Sequence, residues 1–207
     1  MRIQSSLEER LNAWSHGFGA VLGAVGLILL ITHSNATTLE VLSVIVYGLS
    51  TIILFSASAL YHAVQDERLK HYFRIVDHIS IYLLIAGTYT PVTLITLSDS
   101  RGWLLFGMVW GIAGFGLVLK LFFTGRFEVL STLLYLVMGW LVVLDVSTLI
   151  EKMPTNGLLL LMSGGLFYTL GIVFYAIKKI PYNHVIWHVF VLAGAICHFF
   201  MIFLFVI

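Results

Sequence analysis

The sequence predicts an all-α, polytopic membrane protein: a bundle of seven transmembrane helices. Three observations predict it. First, 60% of the 207 residues are hydrophobic and 10% are charged, with a mean hydropathy of +1.02. A soluble domain of this length cannot hide so much apolar surface. Second, seven segments reach the roughly 20 mostly apolar residues that a spanning helix needs. Third, the basic residues are distributed between the loops in a way that only an odd number of spans explains.

The first span, 14–33, opens at Trp14 with Glu8 and Glu9 ahead of it, and is read as a retained helix rather than a cleaved signal. HSNATT breaks the chain before the second span, 40–63. VQDERLKHYFR separates that from the third, 75–97, where Pro91 in GTYTPVT is expected to kink the helix. LSDSRG leads into span four, 102–123, and FTGRFE into span five, 129–150. EKMPTNG, with Pro154, precedes span six, 157–177, and IKKIPYN, with Pro181, precedes span seven, 184–206. Gly19/Gly23 and Gly107/Gly111 have the small-xxx-small spacing of close helix packing. No repeat or soluble segment interrupts the pattern, so residues 1–207 are read as one seven-helix transmembrane domain.

Orientation follows from Lys and Arg. Arg2 and Arg10, then Arg68, Lys70 and Arg74, then Lys120 and Arg126, then Lys178 and Lys179 put nine basic residues on one side; Arg101 and Lys152 are on the other. The positive-inside rule therefore predicts a cytoplasmic N-terminus and an external C-terminus. The formal net charge of +1 offers nothing to nucleic acid, and the single Cys197 excludes both an internal disulfide and a cysteine-built zinc site.

This orientation brings the polar residues into register. His184 and His188 are four apart in NHVIWH, on one face at the inner start of span seven; His62 closes span two at its inner end. Two imidazoles at i, i+4 and a third from another helix hold zinc with a position left open for water. Asp77, in the first turns of span three, is placed to accept a proton from that water, whose pKa falls toward about 7. Ser58 is one turn before His62 and is placed to orient the water or bind an oxyanion. Ionisable residues at membrane depth argue for function. His78 points about 100° from Asp77 and is read as interfacial, with Glu9 and Asn12 as caps of helix 1. His198, about 15 Å beyond His188 along a helix, is read as a hydrogen-bonding residue of the bundle. Asp145 is read the same way, and His33 and His71 as loop residues.

Three blocks carry a resemblance. They are Glu9-x-x-Asn12-x-x-Ser15-His16 before helix 1, Ser58-x-x-x-His62 followed by Asp77, and His184-x-x-x-His188 opening helix 7. Together they resemble the hemolysin III family, the bacterial branch of the progestin and adiponectin receptor superfamily, with no departure at these positions. The resemblance implies a seven-helix bundle in a bacterial inner membrane, with zinc on His62, His184 and His188, a water-mediated role for Asp77, and Ser58 nearby. It also implies kinship with membrane hydrolases, including alkaline ceramidases, and a link to membrane-lipid homeostasis.

Three functions remain open at this level. The chain is a zinc-dependent hydrolase of a lipid amide or ester, with a membrane lipid as substrate. Alternatively it is a non-enzymatic regulator whose zinc staples helices 2 and 7, or a pore-forming, haemolytic protein. The pore has least in its favour, since the sequence has no long amphipathic lytic segment and no charged ring.

Overall fold

The structure is a computed structural model that describes residues 4–34 and 37–207, so Arg2 of the charge count lies outside the described residues. All seven spans are helices long and apolar enough to cross a membrane, and no strand occurs among the described residues. We number the helices α1 (Ser6–His33), α2 (Thr38–Ala63), α3 (Glu67–Pro91), α4 (Gly102–Phe123), α5 (Glu128–Trp140), α6 (Val146–Lys152), α7 (Thr155–Ala176) and α8 (Asn183–Phe205). The fifth span is α5 and α6 joined by a 3₁₀ segment, Leu141–Asp145.

Two helices begin well before their apolar cores. α1 starts at Ser6, where Ser5 accepts from the Glu8 amide and Glu8 bonds back to the Ser5 amide, so a reciprocal capping box starts the helix. Glu9 and Asn12 are therefore not caps. α3 starts at Glu67, with Asp66 accepting from the Leu69 amide at 2.9 Å. Polar residues there are helical because they are capped and face the membrane edge. His71 is thus helical rather than in a loop, and His33 is the last residue of α1.

Pro91 does perturb its span. The helix changes to a π turn over Val92–Thr96, closed by Leu97 N donating to the Val92 carbonyl at 3.0 Å. Proline has no N–H to donate, so a carbonyl one turn earlier loses its partner. Around it, Thr88, Thr90 and Thr93 hydroxyls donate to the carbonyls of Leu84, Ala86 and Tyr89 at 2.7, 2.8 and 2.8 Å. Hydroxyls on the preceding turn are how an embedded helix satisfies backbone without water. The break in the fifth span is served similarly. Tyr89 Oη donates to the Gly139 carbonyl at 3.0 Å and accepts from Val142 N at 2.9 Å. At its far end, Asp145 accepts from Ser100 Oγ, Arg101 N and Thr148 Oγ1, which bears out its structural reading. Nearby Asp99 bonds Lys152, which holds the exposed Asp99 carboxyl below its ordinary range.

α1 packs against α2 and α8, α2 against α3, α3 against α4, and α7 against α8. The α2 and α3 spans are the most enclosed. Outward faces are apolar: Trp14 is 78% exposed and Phe122 74%, so lipid is the solvent they meet. Of the two glycine pairs only one packs. A Cβ on Gly19 would lie 2.6 Å from the Phe55 ring of α2, and one on Gly23 3.3 Å from Ile52, whereas Gly107 and Gly111 have nothing within 4 Å. Spacing alone cannot distinguish a glycine that faces a helix from one that faces lipid. Gly116, not in either pair, gives α4 its close approach: its missing Cβ would fall inside the Tyr82 ring of α3.

Gly116→Val is expected to lower stability by about 1–3 kcal/mol through overpacking, whereas Gly107→Val changes it by under about 0.5 kcal/mol. Thermal unfolding of the two variants in one detergent checks this contrast.

Candidate metal centre

Two helices, α2 and α8, bring three imidazoles into a single cluster. His62 ends α2, and His184 and His188 stack along the first two turns of α8. The start of α8 is held in place by a local device. Tyr182 adopts a left-handed backbone (φ 55°), and the Asn183 side chain donates from Nδ2 to the Phe174 carbonyl at the end of α7 at 3.0 Å. This sets the register from which His184 and His188 project.

The ring centroids of His62 and His184 are 5.1 Å apart, those of His62 and His188 4.9 Å, and those of His184 and His188 4.7 Å. One nitrogen from each lies within 4.8 Å of the other two, and His62 and His188 are buried. Nitrogens that share a zinc ion at about 2.0–2.1 Å stand at most about 4 Å apart, so a small side-chain adjustment reaches metal-binding separation. The donor chemistry also fits. His62 Nε2 and His188 Nδ1 are buried with no hydrogen-bond partner, a costly arrangement unless another acceptor of those lone pairs is expected. Neutral imidazole nitrogens turned inward in an apolar bundle suit zinc.

The opposite nitrogen of His62 is not free. Nδ1 is 2.7 Å from Glu9 Oε2 on α1, and Glu9 Oε1 accepts from Lys70 Nζ on α3 at 2.8 Å. Lys70 in turn sits 5.3 Å from the centre of the Tyr61 ring. A carboxylate that accepts from one ring nitrogen fixes the tautomer and aims the other nitrogen at a metal. His16, about two turns beyond Glu9 on the same face of α1, stacks on His188 with centroids 3.6 Å apart and planes 13° apart. Its other side meets the Phe55 edge at 5.0 Å. The Glu9, Asn12 and His16 face of α1 thus wraps the cluster from outside. Their i, i+3, i+7 spacing carried that signal in the sequence, but spacing does not say which helix the face meets.

Beside the cluster is a mainly apolar cavity of about 120 Å³, lined by residues of α2, α3, α5, α7 and α8. His184, His188, Asp77 and Ser58 all line it, and Ser58 lies beside the Asp77 carboxyl. The five residues singled out from sequence as a site are therefore neighbours in space. His78 differs from its sequence reading. It also lines the cavity, and its ring is 3.9 Å from Glu128, which pairs with Lys120 at 3.1 Å and Arg74 at 3.4 Å. The 100° offset from Asp77 is real, but the cavity is wide enough to take both. His198 is deeper in the bundle, and its Nε2 donates to the Leu161 carbonyl at 3.2 Å, as expected.

Were the cluster to hold zinc, replacing Glu9 with Ala is expected to weaken that binding by about 10–100-fold while leaving helicity unchanged. Chelator competition beside circular dichroism on the purified variant measures both.

A family model described as "Haemolysin-III related" matches residues 4–199. Hemolysin-3 of Bacillus cereus is 43% identical over 202 residues, covering 97% of this chain and 92% of that one. The Hemolysin-3 homolog of Bacillus subtilis (strain 168) is 41% identical over 197 residues, 94% of this chain and 92% of its own. The human Monocyte to macrophage differentiation factor is 31% identical over 205 residues, 94% of this chain and 83% of its own.

Proposed function

This chain belongs to the haemolysin-III related family, and from that premise we propose that it is a zinc-dependent hydrolase of a lipid amide or ester. We place it in a bacterial plasma membrane, as one seven-helix unit with its N-terminus in the cytoplasm, where it serves membrane-lipid homeostasis. One observation carries the reading: His184 and His188, of the three-histidine cluster, line with Asp77 and Ser58 a mainly apolar cavity. Apolar walls suit the chain of a lipid, with its carbonyl beside these polar groups.

The residues divide the work. His62, His184 and His188 would hold the metal, with Glu9 keeping His62 turned toward it. Zinc bound there would supply Lewis acidity and make water more acidic. Asp77 is the general base: its carboxyl takes the proton of the attacking water and passes it to the leaving nitrogen or oxygen. Ser58 donates its hydroxyl to that carboxyl or to the developing oxyanion. The apolar walls exclude bulk water, which strengthens each of these interactions.

A structural zinc is the competing reading, favoured by the way the three histidines tie α2 to α8. Haemolysis, which the names of the Bacillus relatives suggest, is the other; conductance in proteoliposomes would be its mark. Catalytic and structural metal separate at Asp77.

Asp77→Asn is expected to keep stoichiometric zinc and lose about 10²–10⁴-fold in turnover, and His188→Ala to lose both metal and turnover. Elemental analysis and a lipid-hydrolysis screen on the same preparations test this. Full turnover in Asp77→Asn, or unchanged zinc and hydrolysis in His188→Ala, rules the hydrolase out.

A further inference from the structure

The cavity has a second polar focus, far from the histidine cluster. His198 is ten residues beyond His188 on α8, about 15 Å along the axis, and Tyr168 faces it from α7 with ring centroids 5.5 Å apart. Both line the same cavity as Asp77 and His188. Glycines make room for each ring on the opposing helix. A Cβ on Gly164 of α7 would collide with the His198 ring, and one on Gly194 of α8 would come within 2.9 Å of the Tyr168 ring. The two rings are seated reciprocally, so their positions are set by packing.

Each nevertheless leaves one polar atom unpaired. Tyr168 Oη and His198 Nδ1 are buried with no hydrogen-bond partner, and His198 is only 9% exposed. Three polar residues that line the cavity with them are already engaged. Thr88 donates to the Leu84 carbonyl; Thr169 donates to the Gly165 carbonyl and accepts from Trp140 Nε1; Tyr89 bonds Gly139 and Val142. Unpaired polar atoms in mid-bundle are costly and mark a place where a ligand atom belongs.

The chemistry of that atom can be read from the pair. His198 donates from Nε2 to the Leu161 carbonyl, so in the neutral ring Nδ1 is an acceptor. Tyr168 retains a phenolic hydrogen to donate. A carbonyl would serve only the tyrosine, and an N–H only the histidine. A hydroxyl serves both, since it accepts from Tyr168 and donates to His198.

We propose that Tyr168 and His198 form a hydroxyl-binding site in the cavity, and that the lipid it takes carries a hydroxyl partway along its chain. This rests on the hydrolase reading for the orientation of the chain, with the carbonyl at the zinc end. A resident water is the other source of the same O–H group, and the test separates the two.

Equilibrium binding of stearate, 2-hydroxystearate and 12-hydroxystearate to the full-length, zinc-loaded protein in detergent is the experiment. The 12-hydroxy acid is expected to bind about tenfold tighter than stearate, the gain of one well-made buried hydrogen-bond pair, and the 2-hydroxy acid no tighter. Tyr168→Phe, which deletes one oxygen and keeps the ring on Gly194, should erase most of that advantage and leave stearate binding unchanged. His198→Phe should do the same; if it fails to fold, Tyr168→Phe suffices. Equal affinities for all three acids, no binding of any, or an advantage that survives in Tyr168→Phe means the site holds only water and overturns the proposal. Failure of the hydrolase reading looks different. It shows as missing zinc or turnover and shifts the three acids together, so their ratio is preserved.

Discussion

A polar group inside hydrocarbon has no water to bond, and the architecture of this bundle follows from where each such group finds a partner. Where the helices are regular the backbone satisfies itself. Where they are not, side chains step in: threonines around Pro91 bond back one turn, and the Tyr89 hydroxyl bridges the broken ladder of the fifth span. The residues just before each irregular segment, Thr88 and Tyr89 on α3 and Gly139 and Trp140 on α5, line the cavity.

Charged groups obey the same constraint at the N-terminal end of the bundle. Lys120 is fully buried yet pairs with Glu128, which also meets Arg74 and approaches His78. Glu9 is shared between Lys70 and His62. Neither network is a surface ornament. The Glu128 network joins α3, α4 and α5, and the Glu9 network joins α1, α2 and α3, so each crosslinks helices at the depth of the histidine cluster. Removal of one partner from such a group strands a buried charge and costs far more than the loss of an exposed pair.

Four buried polar atoms without a partner adjoin one enclosed space. His62 Nε2 and His188 Nδ1 belong to the cluster, with His16 stacked on His188, and Tyr168 Oη and His198 Nδ1 recur deeper in the bundle. Asn12 Oδ1, both ring nitrogens of His16, His78 Nδ1 and Tyr82 Oη are buried without a partner as well.

Much of this was legible in the sequence. Spans of about 20 apolar residues must cross a membrane because hydrocarbon thickness is fixed, and all seven are helices of that kind. The i, i+4 geometry of an α-helix placed His184 above His188, and the placement of His62 at the end of its span set it at the same depth. Most of the misreadings have a common origin. Glu9 and Asn12 were assigned to capping, which Ser5 and Glu8 perform; His78 was assigned to the interface, whereas it lines the cavity; Gly107 and Gly111 were assigned to packing, whereas they face outward. In each of these cases the helix was right and the residue's azimuth was unknown; His33 and His71, read as loop residues, instead lie within α1 and α3, where the helix boundary was misplaced. Periodicity along one helix establishes what is together on a face, because that is a matter of 3.6 residues per turn. Which helix that face meets depends on how all seven pack around one another, so only the tertiary structure joined Glu9 to His62, His16 to His188, and Tyr168 to His198.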